Sequence, residues 1–111
     1  IAWEPSSKID PWDHVESIMA LNLLDFKDEA LKGFDWLISS QEHDGSWYSE
    51  YQGEKITNLN KETNFCAYIS SGALHHFLNF KDSFHLLIKI FYSNYIFVLN
   101  MRFLEINYYF N

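Results

Sequence analysis

The side chains best suited to chemistry fall in two short stretches and one pair of histidines. Asp10-Pro11-Trp12-Asp13-His14, with Glu16 two residues on, gathers carboxylates, an imidazole and an indole at what reads as the start of a helix. Glu62-Thr63-Asn64-Phe65-Cys66, followed by Tyr68, does the same at the start of another. Carboxylates so placed could transfer protons. They equally suit capping, with Asp10 as N-cap, Pro11 in the first helical position, and Asp13 and Glu16 complementing the helix dipole. Cys66 is the single cysteine, so it has no intramolecular disulfide partner, and a zinc site would lack its usual second thiolate. His75-His76 lies near the other end of that helix, roughly 15 Å away at 1.5 Å per residue, too far to share a metal with Cys66. No metal and no cofactor are expected from these residues. Cys66 reads as a small buried hydrophobe and the histidine pair as a polar group at a helix end.

The elements that must position these groups read as helices. After an approach loop over residues 1–9, apolar positions at Val15, Ile18, Met19 and Leu23 predict a helix over 11–24. Asp25-Phe26-Lys27-Asp28 is a short connector, with Asp28 a plausible N-cap for a second helix over 28–40, striped by Leu31, Phe34, Leu37 and Ile38. So short a connector makes the two helices antiparallel. Residues 48–60 are polar, with Gly53 among them, and read as a long loop. A third helix is expected over 62–78, rich in small residues (Ala67, Ser70, Ser71, Gly72, Ala73) that let neighbouring helices approach. A fourth, over 83–101, is apolar on nearly all faces. His85, Lys89, Ser93 and Asn94 break its apolar run, so it reads as a buried helix and not a membrane span.

Between the second and third helices, Gln41-Glu42-His43-Asp44-Gly45-Ser46-Trp47 supplies a polar helix exit, a glycine able to take positive φ and a large aromatic anchor. The second half of the chain echoes the first. Leu24-Asp25-Phe26-Lys27-Asp28 returns as Leu78-Asn79-Phe80-Lys81-Asp82, and Phe34-Asp35-Trp36-Leu37-Ile38 as Tyr95-Ile96-Phe97-Val98-Leu99. On that alignment Gln41 falls on Arg102, Gly45 on Ile106 and Trp47 on Tyr108, so the second turn is degenerate. Repeats of this kind imply an array in which each hairpin covers the next. We therefore expect residues 1–111 to be a fragment of one domain, with hairpins over 10–47 and 61–108 and further repeats of the same chain as partners.

The spacing Gln41-x-x-x-Gly45-x-Trp47 resembles the QW motif of the terpenoid cyclase and protein prenyltransferase superfamily, whose repeats are helical hairpins in an α/α-toroid. The resemblance implies an all-α fold and makes Gln41, Gly45 and Trp47 structural. It implies a transferase- or cyclase-like enzyme handling an isoprenoid in the toroid cavity. It also implies a site at the toroid mouth, at the first turns of inner helices, where Asp10, Trp12, Asp13, His14, Glu62, Asn64 and Cys66 would lie. Departures are clear. Asn64 stands where a prenyltransferase has its zinc-binding Asp, and the D-x-D-D acid of the cyclases is absent.

A second resemblance, of Tyr68 to Asp82, is to hairpins of six-hairpin glycosidases, also toroids. There Asp13 and Glu62 would be the catalytic pair, as general acid and water-activating base. Trp12 and Tyr68 would stack on sugar rings, and His14 and Asn64 would bond hydroxyls. A non-catalytic toroid scaffold is a third reading, because a fold licenses no chemistry by itself. The substrate is thus expected to be small, an isoprenoid or a carbohydrate. A net charge of −7 argues against nucleic acid, which needs clustered Lys and Arg. A single cysteine fits a reducing, cytoplasmic compartment.

Overall fold

The computed structural model describes residues 1, 5–81 and 89–90. The element order is β1 (Lys8–Ile9), α1 (Pro11–Leu23), α2 (Lys27–Ser40), β2 (Tyr48–Gln52), β3 (Lys55–Lys61) and α3 (Thr63–Phe80). The all-α expectation is corrected by the strands, which form one antiparallel sheet in the order β1-β2-β3. The toroid goes with it, because the residues after Trp47 build a sheet in place of a loop. The fourth helix expected over 83–101, Lys89 and Ile90 apart, and the repeat positions Tyr95–Leu99, Arg102, Ile106 and Tyr108 lie outside the described residues.

Helix α1 starts as its sequence dictates. The Asp10 side chain accepts from the Asp13 backbone N–H at 2.8 Å, and Pro11 occupies the first turn. The chain turns at Asp25, which takes φ 64, and enters α2 at Phe26, whose side chain makes no capping bond. Asp28, expected as the cap, sits inside the first turn with Glu29. Contacts ascend α1 as they descend α2: Trp36 and Gly33 meet His14, and Gly33 meets Ile18. The pair is antiparallel. Along α3 the contacts ascend with α1, from Trp12 on Tyr68, through Val15 at Gly72, to Asn22 on His76. These helices run parallel, with α1 between α2 and α3. Val15, Ile18, Phe34, Leu37, Trp47 and Ile69 are fully or almost fully buried in the core they share.

Two polar links cross this core. His76, 0% exposed, donates through Nδ1 to Asn22 Oδ1 at 2.8 Å, and Asn22 Nδ2 donates to His75 Nδ1 at 3.2 Å. The histidine pair therefore ties the C-terminal halves of α1 and α3, as buried polar groups must be tied.

A Cβ added at Gly72 would sit 2.2 Å from Val15 Cγ2. Gly72→Ala should destabilise the fold by ~1–3 kcal/mol through overpacking, despite the ~1 kcal/mol that helix propensity returns. The check is a urea melt of Gly72→Ala, Val15→Ala and the double variant. The double should be more stable than the two single losses added together.

The sheet escaped sequence reading for a physical reason. All of β3 is exposed, and of β2 only Tyr51 is buried, so the strands carry little of the alternation that burial imposes. They are held by backbone pairing around the two-residue loop Gly53-Glu54, with Gly53 at φ 61, the position where type II′ hairpins place glycine. Side chains reinforce the pairing: Thr57 Oγ1 donates to Glu50 at 2.8 Å and Ser49 Oγ to the Asn60 carbonyl at 2.9 Å. The expected approach loop likewise ends in a strand, Lys8 pairing Gln52 and Ile9 pairing Tyr51.

Candidate functional site

The first turns of α1 and α3 lie at one end of the molecule because the two helices are parallel. Trp12 and Tyr68 stack there, with ring centroids 4.2 Å apart at 22°, and Phe65 closes against Trp12 at 6.4 Å. Trp12 Nε1 and the Tyr68 hydroxyl both donate to one oxygen of Glu16, Oε1, each at 3.0 Å. One carboxylate thus fixes both rings. The spacing of Trp12 and Glu16, one turn apart on a single face, carried this signal, but only the fold brings Tyr68 to them.

Asp13 sits beside this arrangement. Desolvation, then the charge and hydrogen bonding of Asp10 and the charge of Glu16, push its carboxyl above the usual range. The Tyr68 hydroxyl is pushed up first by its bond to Glu16. Glu62 and Asn64 are exposed where α3 begins, with no hydrogen bond or ion pair to α1 among the described residues. The structure therefore gathers Trp12, Asp13 and Tyr68, adds Glu16, and leaves Glu62 and Asn64 facing solvent at the same end.

His14 and Cys66 turn inward. His14 is 1% exposed and donates through Nε2 to the Gly33 carbonyl at 2.9 Å, leaving Nδ1 as acceptor. Burial, joined by the charge of the Ile1 ammonium that contacts Nδ1, lowers its pKa to about 4 against the raising effect of the Gly33 bond. Cys66 is fully buried, its thiol pushed up to about 12 by desolvation, and it points at the Gly45 carbonyl at 3.8 Å. A thiol so held is not a nucleophile near neutral pH. Among the described residues, no group of three or more His, Cys, Asp or Glu is placed to hold a metal ion, and no helix is long and apolar enough to cross a membrane.

The turn between α2 and β2 is held from both sides. Gln41 Nε2 donates to the Gly45 carbonyl at 3.0 Å, Gly45 takes φ 87, and Trp47 Nε1 donates to the Leu37 carbonyl at 2.8 Å. Beside it a cavity of about 360 Å³ opens between the end of α2 and the β2-β3 hairpin. Trp36 and Tyr51 line it edge to face at 5.1 Å. The sequence points to no site there, since Tyr51 falls in the stretch that reads as a loop.

No protein-family model matches the chain. A curated protein of Mycolicibacterium hassiacum, MMP endo-(1,4)-3-O-methyl-alpha-D-mannosidase, is 38% identical over 78 residues, or 70% of this chain and 22% of that protein. The chain thus spans about a fifth of the length of the relative it matches. The similarity is to a glycosidase. It overturns the assignment to the prenyltransferase and terpenoid cyclase superfamily, and with it the transferase and isoprenoid readings. The QW-like spacing misled because Gln41, Gly45 and Trp47 do a local task here, closing a helix exit, that belongs to no one fold.

Proposed function

We propose that this chain is part of a glycoside hydrolase acting on a mannose-type polysaccharide, and that the first turns of α1 and α3 form a sugar-facing surface. The observation that carries this reading is the Trp12–Tyr68 stack fixed by a single carboxylate. Flat aromatic faces beside a hydrogen-bond acceptor suit a pyranose ring, whose C–H face is apolar and whose rim donates hydroxyl protons. The glycosidase named above supports the substrate class, an α-mannosidic chain bearing methyl ethers.

In this reading Asp13 is the general acid. Its carboxyl is shifted upward, the direction a general acid needs. Glu62, exposed at the start of the parallel α3, serves as the base that activates water, while Glu16 accepts from substrate hydroxyls and orients the rings. The test is hydrolysis of an α-(1,4)-linked 3-O-methylmannose oligosaccharide by the protein carrying this chain. Asp13→Asn and Glu62→Gln should each lower kcat by about 100-fold or more with KM little changed. Trp12→Ala should chiefly raise KM. Full turnover in both carboxylate variants removes the catalytic assignment, and an unchanged KM in Trp12→Ala removes the sugar-facing surface.

A further inference from the structure

The cavity between α2 and the β2-β3 hairpin is lined by Trp36, Tyr51 and Ile56 on its apolar side and by Ser39, Glu42 and Glu54 among its polar residues. Its volume, about 360 Å³, lies near the lower end of the roughly 300–1,000 Å³ usual for small-molecule sites. Trp36 is braced from behind by His14, centroids 4.7 Å apart, and from the side by Tyr51, so its ring is presented in a fixed orientation. Among the described residues, no Lys, Arg or His lines the cavity, while Glu42 and Glu54 do. A carboxylate or phosphate ligand would meet like charge there without a counter-ion. A neutral polyol would meet acceptors for its hydroxyl protons. The Ser39 hydroxyl donates to the Trp36 carbonyl at 3.0 Å, which leaves its oxygen able to accept as well.

We propose that this cavity binds one neutral hexopyranose unit, with Trp36 as its stacking wall and Glu42 and Glu54 accepting from its hydroxyls. The inference rests on the sugar-binding reading above and extends it. Because α1 and α2 are antiparallel, the C-terminal end of α2 lies at the same end of the molecule as Trp12 and Tyr68. A glycan would therefore be held on both sides of the first turn of α1, which fits a chain-like substrate rather than a free monosaccharide.

The experiment is ¹⁹F NMR of the protein labelled with 5-fluorotryptophan, its resonances assigned by single Trp→Phe substitutions, with buried Trp47 as internal reference. Methyl α-D-mannopyranoside and an α-(1,4)-linked 3-O-methylmannose oligosaccharide should shift the Trp36 resonance saturably, and glucuronate should not. Replacing both carboxylates, Glu42→Gln with Glu54→Gln on the exposed hairpin, should weaken the neutral-sugar titration roughly fivefold or more at Trp36 alone. A shift at Trp12 without one at Trp36 overturns this inference and leaves the α1–α3 surface standing. A shift at Trp36 alone does the reverse. Glucuronate shifting Trp36 as strongly as the neutral sugars overturns the ligand class, and no shift at either ring overturns both readings.

Discussion

Trp47→Ala should cost the fold ~3–5 kcal/mol, the range for truncating a buried large aromatic. Trp47 is 1% exposed and belongs to the same core as Leu37, Phe34 and Cys66. Its indole N–H also donates at 2.8 Å to the Leu37 carbonyl in the last turn of α2, an acceptor that the Ser40 hydroxyl reaches only at 3.3 Å. The substitution removes both the ring and that bond, and Gly45, at φ 87, limits how the turn can collapse into the space. Trp47→Phe separates the two contributions. It keeps most of the apolar volume and leaves the carbonyl to the Ser40 hydroxyl alone, which should cost about 0.5–1.5 kcal/mol. Chemical denaturation of the three proteins measures both values. Coincident transitions for Trp47→Ala and the parent would show that the turn holds without its anchor.

Acid should weaken the fold through His14, by ~3 kcal/mol between pH 7 and pH 4. The imidazole titrates near 6.5 in the unfolded chain and is lowered to about 4 by burial in the folded one. Below 6.5 the unfolded state binds a proton that the folded state refuses, so stability falls as pH drops and levels off only below the folded value. Each pKa unit is worth ~1.4 kcal/mol, which sets the magnitude. Asp13 works in the opposite sense, since a carboxyl with a raised pKa binds its proton more readily in the folded state as pH falls. His14→Gln isolates the histidine: it offers an N–H to the Gly33 carbonyl but does not titrate. Its stability should fall much less between pH 7 and 4.5 than the parent's. Parallel slopes for the two proteins would mean that His14 is not the group responsible.

His14 and Trp47 illustrate how differently the two kinds of information behave. The spacing of Gln41, Gly45 and Trp47 was sufficient to foresee a glycine turn with an inward indole, because the bonds that Gln41 and Trp47 make there lie within ten residues of chain. The family attached to that spacing was wrong, because the same local physics serves unrelated folds. By sequence, His14 belongs with the candidate site residues of its turn. Only the packing of α2 against α1 decides that it faces Gly33.

The sequence alone determined the three helices to within about two residues at either end, through the Asp10-Pro11 start, the apolar stripes and the short connector at Asp25. Local capping and periodicity are sufficient there, since a helix satisfies its backbone within itself. It also set the acidic charge and the concentration of aromatics and carboxylates in the first turns of α1 and α3. Tertiary structure decided the rest. The strand pairing of residues 48–61 rests on backbone bonds between distant segments and on almost no burial, which leaves hardly any periodic trace in residue types. The parallel docking of α1 and α3, read from Val15 at Gly72 and Asn22 on His76, is what brings Tyr68 to Trp12 and makes Glu16 their shared acceptor. Those contacts join residues more than fifty positions apart, and no window of sequence contains both partners.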